Sequence, residues 1–267
     1  MLSSFARLIE YAEHFSKAIG VPKLCLVLVR RFTGNNAPVT VSSFGQTYEI
    51  RPLDTDLKVA TQIFGRQEYD LGDSWSPINR LAAEWKAEGD TPVIIDAGAN
   101  VGYSALYCAH KVPAAVVVAI EADRGTFEVL CKNVASNKRI KPIHAAVWSH
   151  EKGVSMTAEG ENNSWAGRVS EHGSRVPSLL LPSTFADIPN GRPLVVKLDV
   201  EGAEAEICKA SPEILHEVPC IMIEPHDWLL PGAGTVSSLF NALAGRRVDT
   251  LLRGENLLIV DSSLRAA

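Results

Sequence analysis

Short apolar runs alternate with amphipathic stretches along the last two thirds of the chain, from about residue 90 onward. Each run is short and rich in Val and Ile, which predicts a buried strand. The predicted strands are Val93–Ala97, Ala115–Ile120, Pro142–Trp148, Leu194–Leu198 and Cys220–Ile223. The predicted helices are Tyr103–His110, Thr126–Asn137, Ala203–Ala210 and Val236–Ala244. Strands that alternate with helices predict a mostly parallel sheet covered by helices on both faces.

The chain ends in a predicted hairpin. Arg247–Leu252 and Leu257–Val260 flank the turn Arg253-Gly-Glu-Asn, so the last strand is expected to be antiparallel to its neighbours. The predicted fold class is therefore α/β, with the mostly parallel Rossmann-like sheet and antiparallel last strand of class I methyltransferases. A nicotinamide-binding sheet more usually ends in a sixth parallel strand.

The first 89 residues follow a different, mixed pattern and are predicted to form an N-terminal α+β extension of the domain at 90–267. Ser4–Ala18 has a helical apolar stripe, Val39–Ile50 reads as a hairpin, and helices are expected near Asp56–Phe64 and Pro77–Ala87. The apolar run Leu24–Val29 is far shorter than the ~20 residues of a membrane span. It is therefore predicted to be a buried strand or helix.

Composition narrows the functional class. The 267 residues are 46% hydrophobic and 21% charged, and the net charge of −5 comes without a long basic block, which argues against tight nucleic-acid binding. The five cysteines are scattered and form no Cys-x-x-Cys pair, so neither a disulfide framework nor a zinc knuckle is indicated. A cytoplasmic enzyme with a small-molecule substrate and no membrane span is the expectation.

A glycine-rich turn follows the first predicted strand and reads Asp96-Ala-Gly-Ala-Asn-Val-Gly-Tyr-Ser104. Gly98 allows a sharp turn, Gly102 allows close packing of the next helix, and the start of that helix offers free N–H groups to a polar ligand. The Gly-x-x-x-Gly spacing differs from the dinucleotide pattern. Asp96 would repel a pyrophosphate but attract the ammonium group of S-adenosylmethionine.

Glu121 ends the second predicted strand. A carboxylate there can accept both ribose hydroxyls of a cofactor, a role common to methyltransferases and NAD enzymes. Alone, this residue does not separate the two, and a tight turn with a solvated acid would look the same. Together with the glycine turn and the hairpin ending, Glu121 indicates a cofactor site.

Charged residues interrupt and follow the fourth predicted strand. Lys197 lies within it, and Asp199 and Glu201 lie at its carboxyl end, where open α/β sheets bind ligands. A charged pair on a buried strand rarely serves packing alone, so Lys197 and Asp199 are predicted to be functional. Glu204 is interpreted as a residue that only favours the dipole of the next helix.

The fifth predicted strand ends in Glu224-Pro-His226. His226 is the predicted general base, because an imidazole can deprotonate a hydroxyl near neutral pH. Asp199, Glu224 and His226 could instead bind a divalent metal, since two acids and a histidine suit that chemistry. No spacing specifies a metal, so the metal is the less favoured interpretation.

At these residues the sequence resembles the FkbM family of methyltransferases. The resemblance rests on Val93-Ile-Ile-Asp-Ala-Gly-Ala-Asn-Val-Gly-Tyr-Ser and on Val196-Lys-Leu-Asp-Val-Glu-Gly-Ala-Glu, and it spans about residues 50–260. It implies S-adenosylmethionine-dependent methyl transfer to a hydroxyl, often on a sugar or a polyketide-type natural product. The residues predicted from their positions to take part in catalysis are His226, Asp199, Lys197 and Glu224. The resemblance implies that Asp96, Gly98 and Glu121 contact the cofactor and that Glu68 reaches its amino-acid end from the N-terminal segment. The full set of predicted cofactor-binding residues is Glu68, Asp96, Gly98, Asn100, Gly102, Ser104, Glu121, Ala122, Asn163, Ser164 and Asp199.

Two alternatives from other classes remain at this stage. One is an NAD-dependent oxidoreductase, against which Asp96 and the hairpin ending argue. The other is a non-catalytic methyltransferase-like partner subunit, although such chains tend to lose the motif acids that are intact here. The long connection Ser149–Pro193 has little periodicity and is predicted to be a lid, with Asn163, Ser164 and Trp165 facing the site.

Overall fold

A computed structural model describes residues 13–158, 167–170, 174–227 and 231–265. The chain divides into two compact units, residues 1–68 and residues 69–267. The domain boundary near Gly89–Asp90 stays a prediction.

The first unit contains a hairpin and short helices. Residues 13–19 are helical, and a π-helical turn at Thr61–Gly65 ends the unit's last helix. The remaining elements are α1 (Val21–Phe32), β1 (Val39–Ser43), β2 (Gln46–Ile50) and α2 (Asp56–Ala60). The hairpin is confirmed: β1 and β2 pair antiparallel from Val39–Ile50 to Ser43–Gln46. Its alternate residues Val41, Tyr48 and Ile50 are buried, as the period of two requires.

Helix α1 corrects one expectation. The apolar run at residues 24–29 is helical, but Val27 is its only fully buried member. Leu28 and Val29 are 50% and 59% exposed. The prediction that this run is buried was wrong, because a helix turns through 3.6 residues and only one stripe of the run faces the rest of the unit.

The second unit is built on a seven-stranded sheet. The sheet strands are β3 (Thr91–Ala97), β4 (Val116–Glu121), β5 (Ile140–His144), β11 (Gly191–Leu198), β12 (Cys220–Ile223), β13 (Val248–Arg253) and β14 (Asn256–Asp261). They lie in the order β5-β4-β3-β11-β12-β14-β13. Pairing is parallel among the first five strands of this order and antiparallel for β12–β14 and β13–β14. The Rossmann-like sheet and its antiparallel last strand are thus confirmed.

Helices connect these strands as the periodicity indicates. They are α3 (Trp75–Glu88), α4 (Tyr103–Lys111), α5 (Arg124–Val134), α6 (Glu204–Ala210), α7 (Pro212–Glu217) and α8 (Thr235–Ala242). Val93, Ile94 and Ile95 of β3 are fully buried, which explains why this strand is a continuous apolar run. Helix α7 was not predicted, although Pro212 at its first turn is a helix-start signal.

Two further differences lie after β5. The run predicted as one strand from Pro142 to Trp148 is two: β5 ends at His144, and β6 (Ala146–Val147) pairs with β10 (Ser178–Leu179) outside the main sheet. The connection predicted to lack periodicity contains three strands, β7 (Val154–Ala158), β8 (Gly167–Ser170) and β9 (Ser174–Val176). They form a small antiparallel sheet in the order β8-β7-β9. Asn163, Ser164 and Trp165 lie outside the described residues.

Short 3-10 turns occur at Gly72–Ser74, Pro182–Phe185 and Ser262–Arg265. Within the described ranges, no helix combines the length and the hydropathy needed to cross a membrane.

Candidate active site

The carboxyl ends of β3, β4, β11 and β12 meet at one edge of the sheet. Lys197 of β11 lies beside Asp96 of β3, and Leu198 lies beside Ile223 of β12. The residues that follow these strands are therefore neighbours in space although they are distant in sequence. This is the edge at which open α/β sheets bind ligands.

The glycine turn after β3 lies directly on the end of β11. Gly98 has φ +78°, and a Cβ on it would lie 1.7 Å from the backbone oxygen of Asp199. Only glycine fits both this backbone conformation and this close approach. The glycine turn, which is predicted to bind the cofactor, therefore packs directly against the backbone at the acidic end of β11.

Asp96 and Lys197 form a buried ion pair below the turn. Lys197 Nζ lies 3.0 Å from Asp96 Oδ1 and donates a 2.8 Å hydrogen bond to the Gly98 carbonyl. Ser104 Oγ donates to Asp96 Oδ2 at 2.6 Å. Burial by itself opposes the charge, but the carboxylates of Asp96 and Asp199 raise the pKa of Lys197 above its ordinary value. Asp96 is therefore already paired, and its contact with a cofactor ammonium stays a prediction.

Glu121 braces the same turn from the end of β4. Its Oε2 accepts the Asn100 N–H at 3.0 Å, and its Oε1 accepts the Asp123 N–H at 2.7 Å. Burial raises the pKa of Glu121 to about 7 in spite of these donors. Ala122 is held in turn, since its carbonyl lies 3.1 Å from His144 Nε2.

Asp199 lies between a lysine and a tyrosine. Its Oδ2 is 3.4 Å from Lys197 Nζ and accepts a 3.3 Å hydrogen bond from the Tyr69 hydroxyl. The Tyr69 ring also lies 5.5 Å from Lys197 Nζ. Tyr69 was not among the predicted site residues, because one isolated tyrosine gives no spacing signal.

The segment that carries Tyr69 is fixed by its neighbour Asp70. One oxygen of Asp70 accepts from Trp75 Nε1 at 3.0 Å, from the Tyr107 hydroxyl at 3.1 Å and from Lys111 Nζ at 2.9 Å. Tyr107 and Lys111 both belong to α4. This clamp holds the segment on the helix that follows the glycine turn.

Glu204 corrects a second expectation. Its side chain is fully buried, and Oε1 accepts the Val200 N–H at 3.1 Å and lies 2.7 Å from His226 Nδ1. Glu204 does lie in the first turn of α6, but the interpretation that it only favours the helix dipole was wrong. A fully buried carboxylate needs a partner, and His226 supplies it.

The other nitrogen of His226 faces two more carboxylates. Nε2 lies 3.4 Å from Glu201 Oε2 and 3.7 Å from Glu224 Oε1. Burial alone lowers the pKa of His226, but the bond to Glu204 and the charges of Glu204 and Glu201 raise it to about 9. Burial and the Asp199 carboxylate raise the pKa of Glu224 to about 8. Negative charge is thus concentrated here, and we call Asp199, Glu201, Glu204, Glu224 and His226 the acidic edge.

Comparison with known proteins identifies the family. Residues 96–240, more than half of the chain, match the family described as the methyltransferase FkbM domain. The chain belongs to the FkbM methyltransferases.

Individual relatives are more distant. Hexuronic acid methyltransferase AglP of Haloferax volcanii is 26% identical over 263 residues, which cover 97% of either chain. Methyltransferase sdnD of Sordaria araneosa is 39% identical over 54 residues, or 20% of this chain and 21% of that one. The fibrillarin pre-rRNA processing protein of Methanococcus jannaschii aligns with a TM-score of 0.44 at 16% identity, over 84% of this chain and 81% of that chain.

The sheet edge of this FkbM methyltransferase gathers most of the predicted site residues. Asp96, Gly98, Glu121, Lys197, Asp199, Glu224 and His226 all lie at the carboxyl ends of the four strands. Glu68 belongs to the first unit, where its carboxylate lies 3.6 Å from Arg66. Asn163 and Ser164 lie outside the described residues. The assignment of each residue to cofactor binding or to catalysis stays a prediction.

Proposed function

We propose that this FkbM methyltransferase transfers a methyl group from S-adenosylmethionine to a hydroxyl of a small sugar or polyketide-type molecule. The observation that carries the proposal is the contact between Glu121 and the glycine turn. Each carboxylate oxygen of Glu121 accepts one backbone N–H: Oε2 accepts that of Asn100, and Oε1 accepts that of Asp123. Each oxygen keeps a further lone pair, so the ribose hydroxyls of the cofactor have two acceptors in a fixed position.

The choice against NAD rests on the family and on the sheet. The sequence argument that Asp96 would repel the pyrophosphate of NAD is weakened by the structure, because Lys197 balances the charge of Asp96. The match to the methyltransferase FkbM domain and the antiparallel strand β14 support methyl transfer instead. An intact glycine turn and intact motif acids favour an active enzyme over a non-catalytic partner subunit.

The reaction is a direct displacement. A lone pair of the acceptor oxygen forms the new O–CH3 bond while the C–S bond breaks, its electrons stay on sulfur and S-adenosylhomocysteine leaves. The hydroxyl proton passes to a base at the acidic edge. Holding oxygen, methyl carbon and sulfur in line supplies most of the acceleration, and proton removal typically adds about 10²–10⁴-fold.

His226 as that base stays a prediction, and its surroundings limit when it can act. With a pKa of about 9, the imidazole carries a proton at neutral pH and cannot accept another. It becomes a base only where another cation replaces that proton among the carboxylates. The sulfonium of the bound cofactor would do this, whereas a metal ion on Nε2 would occupy that nitrogen and leave proton removal to another group.

A sugar acceptor is supported by the relative from Haloferax volcanii, which is named a hexuronic acid methyltransferase. Such an acid offers two targets, its hydroxyls and its carboxylate. We propose the hydroxyl, because a carboxylate acceptor would be repelled by the Asp199 carboxylate.

The test is transfer of label from methyl-labelled S-adenosylmethionine to neutral sugars and to uronic acids. The expected product is a methyl ether, which survives mild alkali, and His226→Ala should lower turnover while Glu206→Gln, on the outer part of α6, should not. Label released as methanol by mild alkali would mean an ester and refute the hydroxyl assignment. Failure of every acceptor to take label would refute the reaction.

A further inference from the structure

The acidic edge has the donor set of a divalent cation site. Asp199, Glu224 and His226 each offer one ligand atom, and these three atoms lie within 4.8 Å of one another. They come from the ends of two adjacent strands, β11 and β12, paired in fixed register. The two carboxylates suit a hard cation such as Mg²⁺ or Mn²⁺, and one imidazole nitrogen completes the donor set.

His226 is oriented as a metal ligand. Its Nδ1 is engaged by the buried carboxylate of Glu204 at 2.7 Å, which leaves Nε2 turned toward the other acids. A carboxylate that holds the far nitrogen is the usual support of a metal-binding histidine. The side chain of His226 is 3% exposed and that of Glu204 is fully buried, so this orientation is fixed by packing as well.

The spacing around Nε2 suits a shared cation better than direct hydrogen bonds. Nε2 lies 3.7 Å from Oε1 of Glu224, a member of the three-residue set, and 3.4 Å from Oε2 of Glu201, which is outside that set. A charged N–H···O bond would bring these atoms to about 2.7–2.9 Å. Two ligands that are each about 2.1 Å from one metal lie between about 3.0 Å and 4.2 Å apart, depending on the angle.

The charges also leave room for a divalent cation. Within the described ranges, four carboxyl groups, on Asp96, Asp199, Glu204 and Glu224, lie against two cationic side chains, Lys197 and His226. In addition, Glu204 Oε2 is buried and has no hydrogen-bond partner among the residues that the structure describes. Buried negative charge without a counter-charge is costly, so a bound cation would stabilise this arrangement.

We propose that Asp199, Glu224 and His226 Nε2 bind one Mg²⁺ or Mn²⁺ ion, and that Glu204 orients His226 for it. With three protein ligands, the ion would keep open positions for water or for oxygen atoms of the acceptor. Only this last role rests on the proposed function. Metal binding itself can be measured without cofactor or acceptor.

The experiment is titration of the chelator-treated full chain with Mn²⁺, followed by electron paramagnetic resonance of free Mn²⁺. We expect one Mn²⁺ per chain, with at least tenfold weaker binding in Asp199→Asn and in Glu224→Gln. Glu204→Gln should weaken binding by about 10- to 100-fold, the usual effect of losing the partner of a metal-bound histidine. Glu206→Gln removes the same charge from the same helix without touching the site, and it should bind Mn²⁺ as the wild type does.

Two results would overturn the proposal: no binding of Mn²⁺ by the wild type at millimolar concentration, or equal binding by wild type and the Asp199 and Glu224 variants. If the variants fail to fold, a measurement on the wild type alone still tests the site. Mn²⁺ should selectively broaden the imidazole NMR signals of His226, whereas equal broadening of all histidines would indicate surface binding and refute the site. Failure here would leave S-adenosylhomocysteine binding intact, so it is distinguishable from failure of the proposed function.

Discussion

Replacing Gly98 by alanine tests whether the glycine turn and the acidic edge are one unit. Gly98 has φ +78°, and a Cβ there would lie 1.7 Å from the Asp199 carbonyl oxygen. Real Cβ atoms essentially never come closer than 3.0 Å to such an atom, so the turn must move from β11 by roughly 1.3 Å. The Cβ position is fixed by the backbone of residue 98 and the oxygen belongs to the backbone of Asp199, so no side-chain rotation can relieve the contact.

The magnitude follows from two costs. A non-glycine residue in the left-handed region costs about 1–2 kcal/mol, and overpacking a tight site adds about 1–3 kcal/mol. Gly98→Ala should therefore lower the free energy of unfolding by about 2–5 kcal/mol. Gly89→Ala is the matched control, because Gly89 has φ +97° and, in the part of the chain that the structure describes, no neighbouring atom lies within 4 Å of its Cβ position. Gly89→Ala should therefore lower the free energy of unfolding only by the cost of the left-handed conformation, about 1–2 kcal/mol.

Denaturant unfolding of both variants measures the difference, and calorimetry with S-adenosylhomocysteine measures the site. We expect Gly98→Ala to bind the ligand at least tenfold more weakly and Gly89→Ala to bind it as the wild type does. If the two variants lost equal stability and kept equal affinity, the close approach of the turn to β11 would not exist as described.

Two other predictions concern titration and the clamp. NMR titration of the chelator-treated protein should give His226 a pKa of about 9, and Glu204→Gln should lower that pKa. Because the pKa of His226 is higher in the folded than in the unfolded protein, protonated His226 stabilises the fold. This stabilisation is complete below about pH 6.5 and is lost as pH rises through about 9. An unshifted His226 pKa would contradict the buried pair. Asp70→Asn should lower the free energy of unfolding by about 1–2 kcal/mol at pH 7, since it weakens the bond to Lys111. Burial by itself raises the pKa of Asp70, but the hydrogen bond and charge of Lys111 hold it below its ordinary value. The difference in stability should therefore shrink as pH falls through the carboxyl's folded pKa, and a pH-independent difference would argue against the ion pair.

The sequence predicted the sheet well because its strands are buried on both faces. Such strands appear as continuous apolar runs, and Val93, Ile94 and Ile95 are an example. Prediction failed where local pattern and tertiary position diverge. An apolar run in α1 is mostly exposed, and the small β8-β7-β9 sheet has too little periodicity to be recognised.

The site was predictable to the extent that strand ends define it. Motif glycines and acids that follow β3, β4, β11 and β12 were found, since parallel strands bring their carboxyl ends together. The contacts between these side chains were not predicted. Nothing in the spacing shows that Glu204 holds His226 or that Lys197 neutralises Asp96, because both contacts depend on which side chains share a buried space.

The most direct test of cofactor binding at the glycine turn is calorimetry of S-adenosylhomocysteine with the wild type, Glu121→Ala and the control Glu128→Ala, with NAD⁺ as the competing ligand. Glu128 is an exposed carboxylate on α5 that pairs with Arg124. We predict that the wild type and Glu128→Ala bind S-adenosylhomocysteine equally and that Glu121→Ala loses about 1–3 kcal/mol of binding free energy, or roughly 5- to 150-fold in affinity. Unchanged affinity in Glu121→Ala, or binding of NAD⁺ in place of S-adenosylhomocysteine, would contradict the account.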